Sequence, residues 1–156
     1  MKEVIVVLDN IRSTFNVGSI FRTADALGVK TLILGGTTPA PVDRFGRARA
    51  DIAKVALGAE KSVDWKYEKN ILGIIKKLKK DGYQIIAVEQ AENSVDYKKI
   101  KIKNKVAFIM GEEVSGISKN ILKIADVVAE IPMHGQKESL NVSVAFGVAL
   151  FRILNL

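Results

Sequence analysis

The sequence predicts an α/β fold, a mostly parallel sheet with helices on both faces. Three observations predict it. Runs rich in Val, Ile and Leu recur along the 156 residues, at EVIVVL (3–8), KTLILG (30–35), YQIIAVE (83–89), VAFIMG (ending at 111) and VVAEIP (127–132). Segments with apolar residues at helical spacing stand between them. The runs are nearly continuous rather than alternating, as expected of strands covered on both faces.

Each element follows in order. Residues 3–8 form a buried strand. Asn16 resembles an N-cap; after it Val17, Ile20, Phe21, Ala24 and Leu27 recur at helical spacing, and Gly28 ends the run. A second strand at 30–35 leads into the loop GGTTPAP. A short helix covers 49–56, and an amphipathic helix covers 69–80 with Ile71, Leu72, Ile75 and Leu78 on its stripe. The strand at 83–89 is followed by a polar, Lys-rich stretch, 90–104, expected to be exposed. A strand from 105 or 106 to 111 runs into a loop, and a short helix from Ser118 to Ile124 leads to the strand at 127–132. Ser139 or Asn141 opens a final helix that ends near Leu154. No repeat, linker or low-complexity tract interrupts the pattern, so one domain over 1–156 is expected.

Composition narrows the function. Hydrophobic residues make up 48% and charged residues 26%, which excludes a disordered or fibrous chain. The absence of cysteine excludes disulfides, thiolate metal sites and a cysteine nucleophile. His134 is the only histidine, so a multi-histidine metal centre is excluded and no metal is expected. The apolar run before Asp9 is too short for a signal peptide, and no stretch reaches the ~18 apolar residues of a membrane span. A cytoplasmic protein without membrane contact is expected.

Charge points to a polyanion. Lys and Arg number 24 against 17 Asp and Glu, a formal net charge of +7. Residues 66–105 hold eleven Lys against five acids. Arg44, Arg47 and Arg49 cluster in a Gly- and Pro-containing stretch, expected to be a mobile loop. Lysines alone are equally consistent with a solvated surface, but arginine's planar fork matches phosphate, and nucleic acid is the simplest partner.

The usual phosphate and hydrolase signatures are missing: there is no G-x-x-x-x-G-K-[ST], no G-x-G-x-x-G and no G-x-S-x-G. Three other constellations lie at or near strand ends, where open parallel sheets bind ligands. The first is Asn16-Val17-Gly18-Ser19-Ile20-Phe21-Arg22, in which Gly18 and Arg22 share a helical face and the glycine clears space beside the guanidinium. The second is Gly111-Glu112-Glu113-Val114-Ser115-Gly116, where Gly111 permits close backbone approach and Glu112 orients a polar group. The third joins Ile131-Pro132-Met133 to Ser139-Leu140-Asn141, an apolar grip beside a helix start. Taken singly, each also fits ordinary capping, turn formation or a solvated side chain.

Taken together, the segments NVGSIFRTADALG (16–28), FIMGEEVSGIS (108–118) and IPMHGQKESLNVSVAFGVAL (131–150) resemble the three motifs of the SpoU/TrmH branch of the SPOUT methyltransferases, in order and across nearly the whole chain. The resemblance implies transfer of a methyl group from S-adenosylmethionine to a ribose 2′-hydroxyl of tRNA or rRNA. It implies a C-terminal trefoil knot and a homodimer. By motif matching, Arg22 is the catalytic arginine, supported by Asn16, Glu112, Ser139 and Asn141. Gly111, Ile131, Met133 and Leu140 hold the cofactor. Arg12, Arg44, Arg47 and Arg49 are the candidate RNA contacts, and no DNA role is expected. A non-catalytic RNA-binding module of the same fold and a small-molecule transferase are the competing readings.

Overall fold

The computed structural model describes residues 2–156. Seven strands form one sheet: β1 (Glu3–Asp9), β2 (Thr31–Gly35), β3 (Asp64–Glu68), β4 (Gln84–Val88), β5 (Val95–Asp96), β6 (Lys105–Gly111) and β7 (Val127–Glu130). Their order is β3-β2-β1-β6-β4-β7-β5, and every pairing is parallel. The helices are α1 (Thr14–Ala26), α2 (Ala50–Ala56), α3 (Ala59–Ser62), α4 (Ile71–Lys80), α5 (Lys119–Ile124) and α6 (Val142–Leu154).

The central strands bury both faces, and the two-residue period sorts their side chains into two cores. Val4, Val6 and Leu8 of β1, with Val106, Phe108 and Met110 of β6, pack under α1, α2 and α6. Ile5 and Val7, with Ala107 and Ile109, pack under α4 and α5. Among the described residues no helix is long and apolar enough to cross a membrane.

Several local expectations change. The cap of α1 is Ser13, whose side chain accepts from the Asn16 N–H at 3.2 Å. Asn16 therefore sits inside the first turn, and its own side chain is free of capping duty. The space beside Gly18 is not open: a Cβ there would lie 2.8 Å from Val55 Cβ and 2.9 Å from the Ile52 carbonyl oxygen. Gly18 is the close-approach point of α1 and α2, not a clearing beside Arg22. β3 escaped the sequence reading because its residues, DWKYE, are mostly charged or polar, as suits an edge strand. The 90–104 stretch is not wholly exposed. Tyr97, Ile100 and Ile102 pack against the core, and Gln84 ties the segment down by donating to the Lys101 carbonyl (3.1 Å) and accepting from the Lys103 N–H (2.9 Å). The arginine stretch is a hydrogen-bonded turn closed by a Val42–Ala48 bridge rather than an open loop. Asn141, not Ser139, caps α6.

Candidate active site

The strand order creates the site. After β6 the chain passes beyond β4 to β7, and segment 131–141 then carries it back to the carboxyl end of β6, where α6 begins. This return borders a cleft at the carboxyl ends of β4, β6 and β7. Val88, Met110, Ala129, Ile131, Met133 and Leu140 form its apolar walls. Glu89, Glu112, Glu113, Gln90 and Ser139 are its polar lining, with no Lys or Arg among the lining residues.

Two side chains tie the cleft's loops together. Gln90 Nε2 donates to the Glu138 carbonyl at 2.7 Å, strapping the 131–141 segment to the end of β4. Glu89 accepts from the Ile117 N–H at 3.0 Å and holds the 112–117 loop. That loop folds back so closely that a Cβ on Gly111 would lie 2.6 Å from Ile117 Cγ1 and 2.7 Å from its backbone nitrogen. Gly111 is thus required by its own loop, although it also lines the cleft. Gly116, at φ +66°, leaves no room for a side chain beside the Glu89 carboxylate.

A second cleft adjoins the first and shares Glu112, Glu113 and Val142 with it. Arg12, Ser13 and Asn16 line its other side. Here three distant segments meet. Asn16, only 5% exposed, donates to Glu113 Oε1 at 3.0 Å. Asn141 Nδ2 lies 3.1 Å from Asn16 Oδ1 and 3.2 Å from Glu113 Oε1. The Val142 N–H reaches the same Glu113 oxygen at 3.3 Å. Asn141 Oδ1 accepts from the Ser143 N–H at 2.9 Å and the Val144 N–H at 3.4 Å. The first N–H groups of α6 are therefore satisfied by a glutamate and an asparagine, and the carboxylate also meets the positive end of the helix dipole.

Glu112, named with Asn16 among the residues supporting Arg22, pairs within the chain with Arg12 at 3.6 Å and accepts from the Ser115 hydroxyl at 2.5 Å. Glu113, passed over in the sequence, is the residue that joins Asn16 to Asn141. Adjacent side chains leaving a strand end point in different directions. A Glu-Glu pair marks that one carboxylate will be positioned, and only the packing of α1 and α6 selects which. Glu89 carried no motif and was also missed.

Arg22 is exposed and lies elsewhere on α1. Six residues from Asn16, it is about 120° around the helix and about 9 Å along it. It lines a groove with Phe15, Ser19, Lys54, Leu57 and Phe151, not the cleft. Phe15, Leu57 and Phe151 are 62%, 66% and 40% exposed, and Val144 and Val148 continue this apolar face along α6. Of the remaining candidates, Gly111, Ile131, Met133, Ser139 and Leu140 line the cleft, Arg12 lines the second cleft, and Arg44, Arg47 and Arg49 stand on the turn after β2. Arg47 and Arg49 pair with Asp43 at 2.8 Å and Asp51 at 3.4 Å.

Asp9, at the end of β1 beside Gly111, is 5% exposed. Burial pushes its carboxyl above the usual range, opposed by the Asn10 amide and reinforced by the charge of Glu112. Among the described residues no group of His, Asp and Glu could hold a metal ion.

The family model described as the SpoU rRNA Methylase family matches residues 3–151. The chain belongs to this family. It is 32% identical over 154 residues to a tRNA (guanosine(18)-2′-O)-methyltransferase of Aquifex aeolicus, a match covering 96% of the chain and 68% of that protein. It is 34% identical over 146 residues to a 23S rRNA (guanosine-2′-O-)-methyltransferase of Neisseria meningitidis, covering 94% of the chain and 56% of the relative. The chain thus spans between about half and two thirds of the lengths of these relatives. An AdoMet-bound rRNA methyltransferase from Sinorhizobium meliloti superposes with a TM-score of 0.88 at 31% identity, over 98% of this chain and 56% of that one. The SpoU-family core therefore accounts for almost every described residue.

Proposed function

We propose that this SpoU-family chain methylates a ribose 2′-hydroxyl of tRNA or rRNA in the cytoplasm, with S-adenosylmethionine as methyl donor. The observation that carries the reading is the convergence of Asn16, Glu113 and Asn141 beside a cleft bounded by the 112–117 and 131–141 loops. The named activities of the Aquifex and Neisseria relatives supply the reaction class.

The lining fits the donor chemically. Apolar walls from Val88, Ala129, Ile131, Met133 and Leu140 suit a purine, and Glu89, Glu112 and Glu113 suit a cationic ligand rather than a phosphate. When bound, S-adenosylmethionine supplies an electrophilic methyl group. The chain's own task is to orient the ribose, hold the neighbouring phosphate and move a proton. The carboxylates of the cleft repel polyanions, so phosphates are held at its rim, where Arg12 projects from the second cleft. The Asn16–Glu113–Asn141 network positions the amides that face the ribose. Alignment of this kind contributes about 7–11 kcal/mol in favourable systems.

Arg22 completes the proposal. A guanidinium with a pKa above about 12 is unsuited to act as a base. Arg22 instead binds the phosphate beside the target ribose and stabilises negative charge developing on the 2′-oxygen, while phosphate or water accepts the proton. Its distance from Asn16 around α1 means that it serves a cleft other than its own protomer's. The apolar face of Phe15, Val144, Val148 and Phe151 supports a homodimer built on α1 and α6, with Arg22 at its margin. The C-terminal knot belongs to the same proposal, supported by the return of 131–141 across the strand ends.

The test pairs calorimetric titration of S-adenosylmethionine with transfer of its labelled methyl group to bulk tRNA and rRNA, followed by mapping of ribose methylation. The wild-type chain is expected to bind the donor and label RNA. Arg22→Ala is expected to bind it with unchanged affinity and to lose methyl transfer. Donor binding without transfer to any RNA favours the non-catalytic module, and wild-type turnover by Arg22→Ala refutes the role of Arg22.

A further inference from the structure

The turn after β2 presents an aromatic ring to solvent, where burial gives it no packing role within the chain. Phe45 is 67% exposed. The Arg44 guanidinium carbon lies 4.7 Å from the ring centroid, and that of Arg47 lies 5.0 Å away. The ring stands on a built support. Asp43 Oδ1 accepts from the Phe45 N–H at 2.8 Å and the Arg47 N–H at 3.0 Å, and Asp43 Oδ2 accepts from Arg47 Nε at 2.8 Å. The Asp43 N–H closes the turn onto the Arg47 carbonyl at 2.8 Å, and Gly46 supplies the positive φ of +76° that the turn needs. The hydrogen bond from the Arg47 N–H, opposed by partial desolvation, heads the causes that hold the Asp43 carboxyl below its ordinary range.

The turn is also aimed. It follows the carboxyl end of β2, the edge of the sheet that holds both clefts. Thr38, 3% exposed, anchors its approach by donating to the Leu8 carbonyl at 3.1 Å and accepting from the Ile11 N–H at 3.0 Å. Ile11 immediately precedes Arg12 of the second cleft. A rigid, solvent-facing phenyl flanked by two flat cations offers π faces and positive charge together. Unpaired nucleobases on a polyanionic backbone are the ligands that need both.

We propose that Phe45, flanked by Arg44 and Arg47, is a stacking platform for an unpaired base of the RNA substrate. This rests on the RNA-methyltransferase reading and deepens it by naming a residue that recognises single-stranded character rather than charge. Arg47 is tied to Asp43. Arg44 makes no ion pair among the described residues, so it is free to yield the ring face to a base and reach its phosphate.

The experiment compares a short oligoadenylate with an abasic ribose-phosphate strand of equal length, by fluorescence anisotropy at one salt concentration. Phe45→Leu is expected to weaken oligoadenylate binding by about 5- to 100-fold and to leave the abasic strand within about twofold, while Phe45→Trp retains binding. Arg44→Ala weakens both strands, because it removes charge. Equal binding of oligoadenylate by Phe45→Leu and wild type overturns the proposal. So does an equal loss on the abasic strand. A change in sedimentation of Phe45→Leu also overturns it, since the ring is then a contact between copies of the chain. In the first two of these outcomes wild-type RNA binding persists, so the methyltransferase reading stands without the platform. A wild-type chain that binds neither strand and labels no RNA overturns both readings.

Discussion

Replacing Glu113 by Ala tests the central network most directly. Its Oε1 is the shared acceptor of Asn16 Nδ2, Asn141 Nδ2 and the Val142 N–H at 3.0, 3.2 and 3.3 Å. Asn141 is exposed, so water replaces its lost partner at little cost. Asn16 and Val142 are each 5% exposed, so water reaches their donors less readily through the cleft that they line. A buried donor left without an acceptor costs about 1–3 kcal/mol. The two donors share one carboxylate, and the second bond is long, so the expected loss is about 2 kcal/mol rather than the sum. For a chain of this length that lowers Tm by about 4–8 °C. The neighbouring Glu112→Ala is the control. It removes an ion pair whose Arg12 side chain is 71% exposed and a bond to an exposed serine, worth less than about 1 kcal/mol. Thermal unfolding followed by circular dichroism, at one protein concentration because any self-association shifts Tm, separates the two. If Glu112→Ala melts below Glu113→Ala, or Glu113→Ala melts with wild type, Glu113 is not the node of the site.

Two further expectations concern packing and pH. Gly18→Ala places a Cβ 2.8 Å from Val55 Cβ and is expected to cost about 1–3 kcal/mol of unfolding free energy, read from denaturant titration, whereas Gly147→Ala meets only Thr23 Cγ2 at 3.7 Å and is expected to be neutral or stabilising. Asp9 and Asp126 act in opposite senses. Burial raises the folded-state pKa of Asp9, so its contribution favours the fold below about 3.9, the ordinary aspartate value, and is lost as pH rises through the raised value. Burial also pushes Asp126 upward, but the Ile85 N–H at 2.8 Å and Lys79 at 2.9 Å outweigh it. Its contribution is present above the ordinary value and lost as pH falls through the lowered one. Asp9→Asn is therefore expected to raise Tm at neutral pH, and Asp126→Asn to lower it, with both differences shrinking in acid. Melts across pH 2–7 check the signs.

Much of the site was legible in the chain because its pieces are short contiguous segments. Ile131 and Met133 read as an apolar grip, Leu140 entered through the family resemblance, and all three line the cleft. Asn141 carried a cap signal, and it caps α6. Asn16 was also visible, but for the wrong local reason: Ser13 three residues earlier takes the capping role and frees the Asn16 amide for a contact 97 residues away. Gly18 misled in the same way, since a glycine that admits a ligand and one that admits a second helix look alike until the second helix is placed.

By itself the sequence determined the central strands, the main helices and, through its ordered motifs, the family. Strand and helix periodicity, cap residues and the ordered motif segments are properties of neighbours along the chain, and local sterics and burial make them readable there. Tertiary structure alone decided which carboxylate of Glu112-Glu113 faces α1 and α6, that Arg22 points away from Asn16's cleft, and that a charged DWKYE segment closes the sheet as an edge strand. Those outcomes depend on how the 131–141 return brings the start of α6 to α1 and the end of β6. Contacts across such separations arise from packing against surfaces that exist only once the sheet has formed.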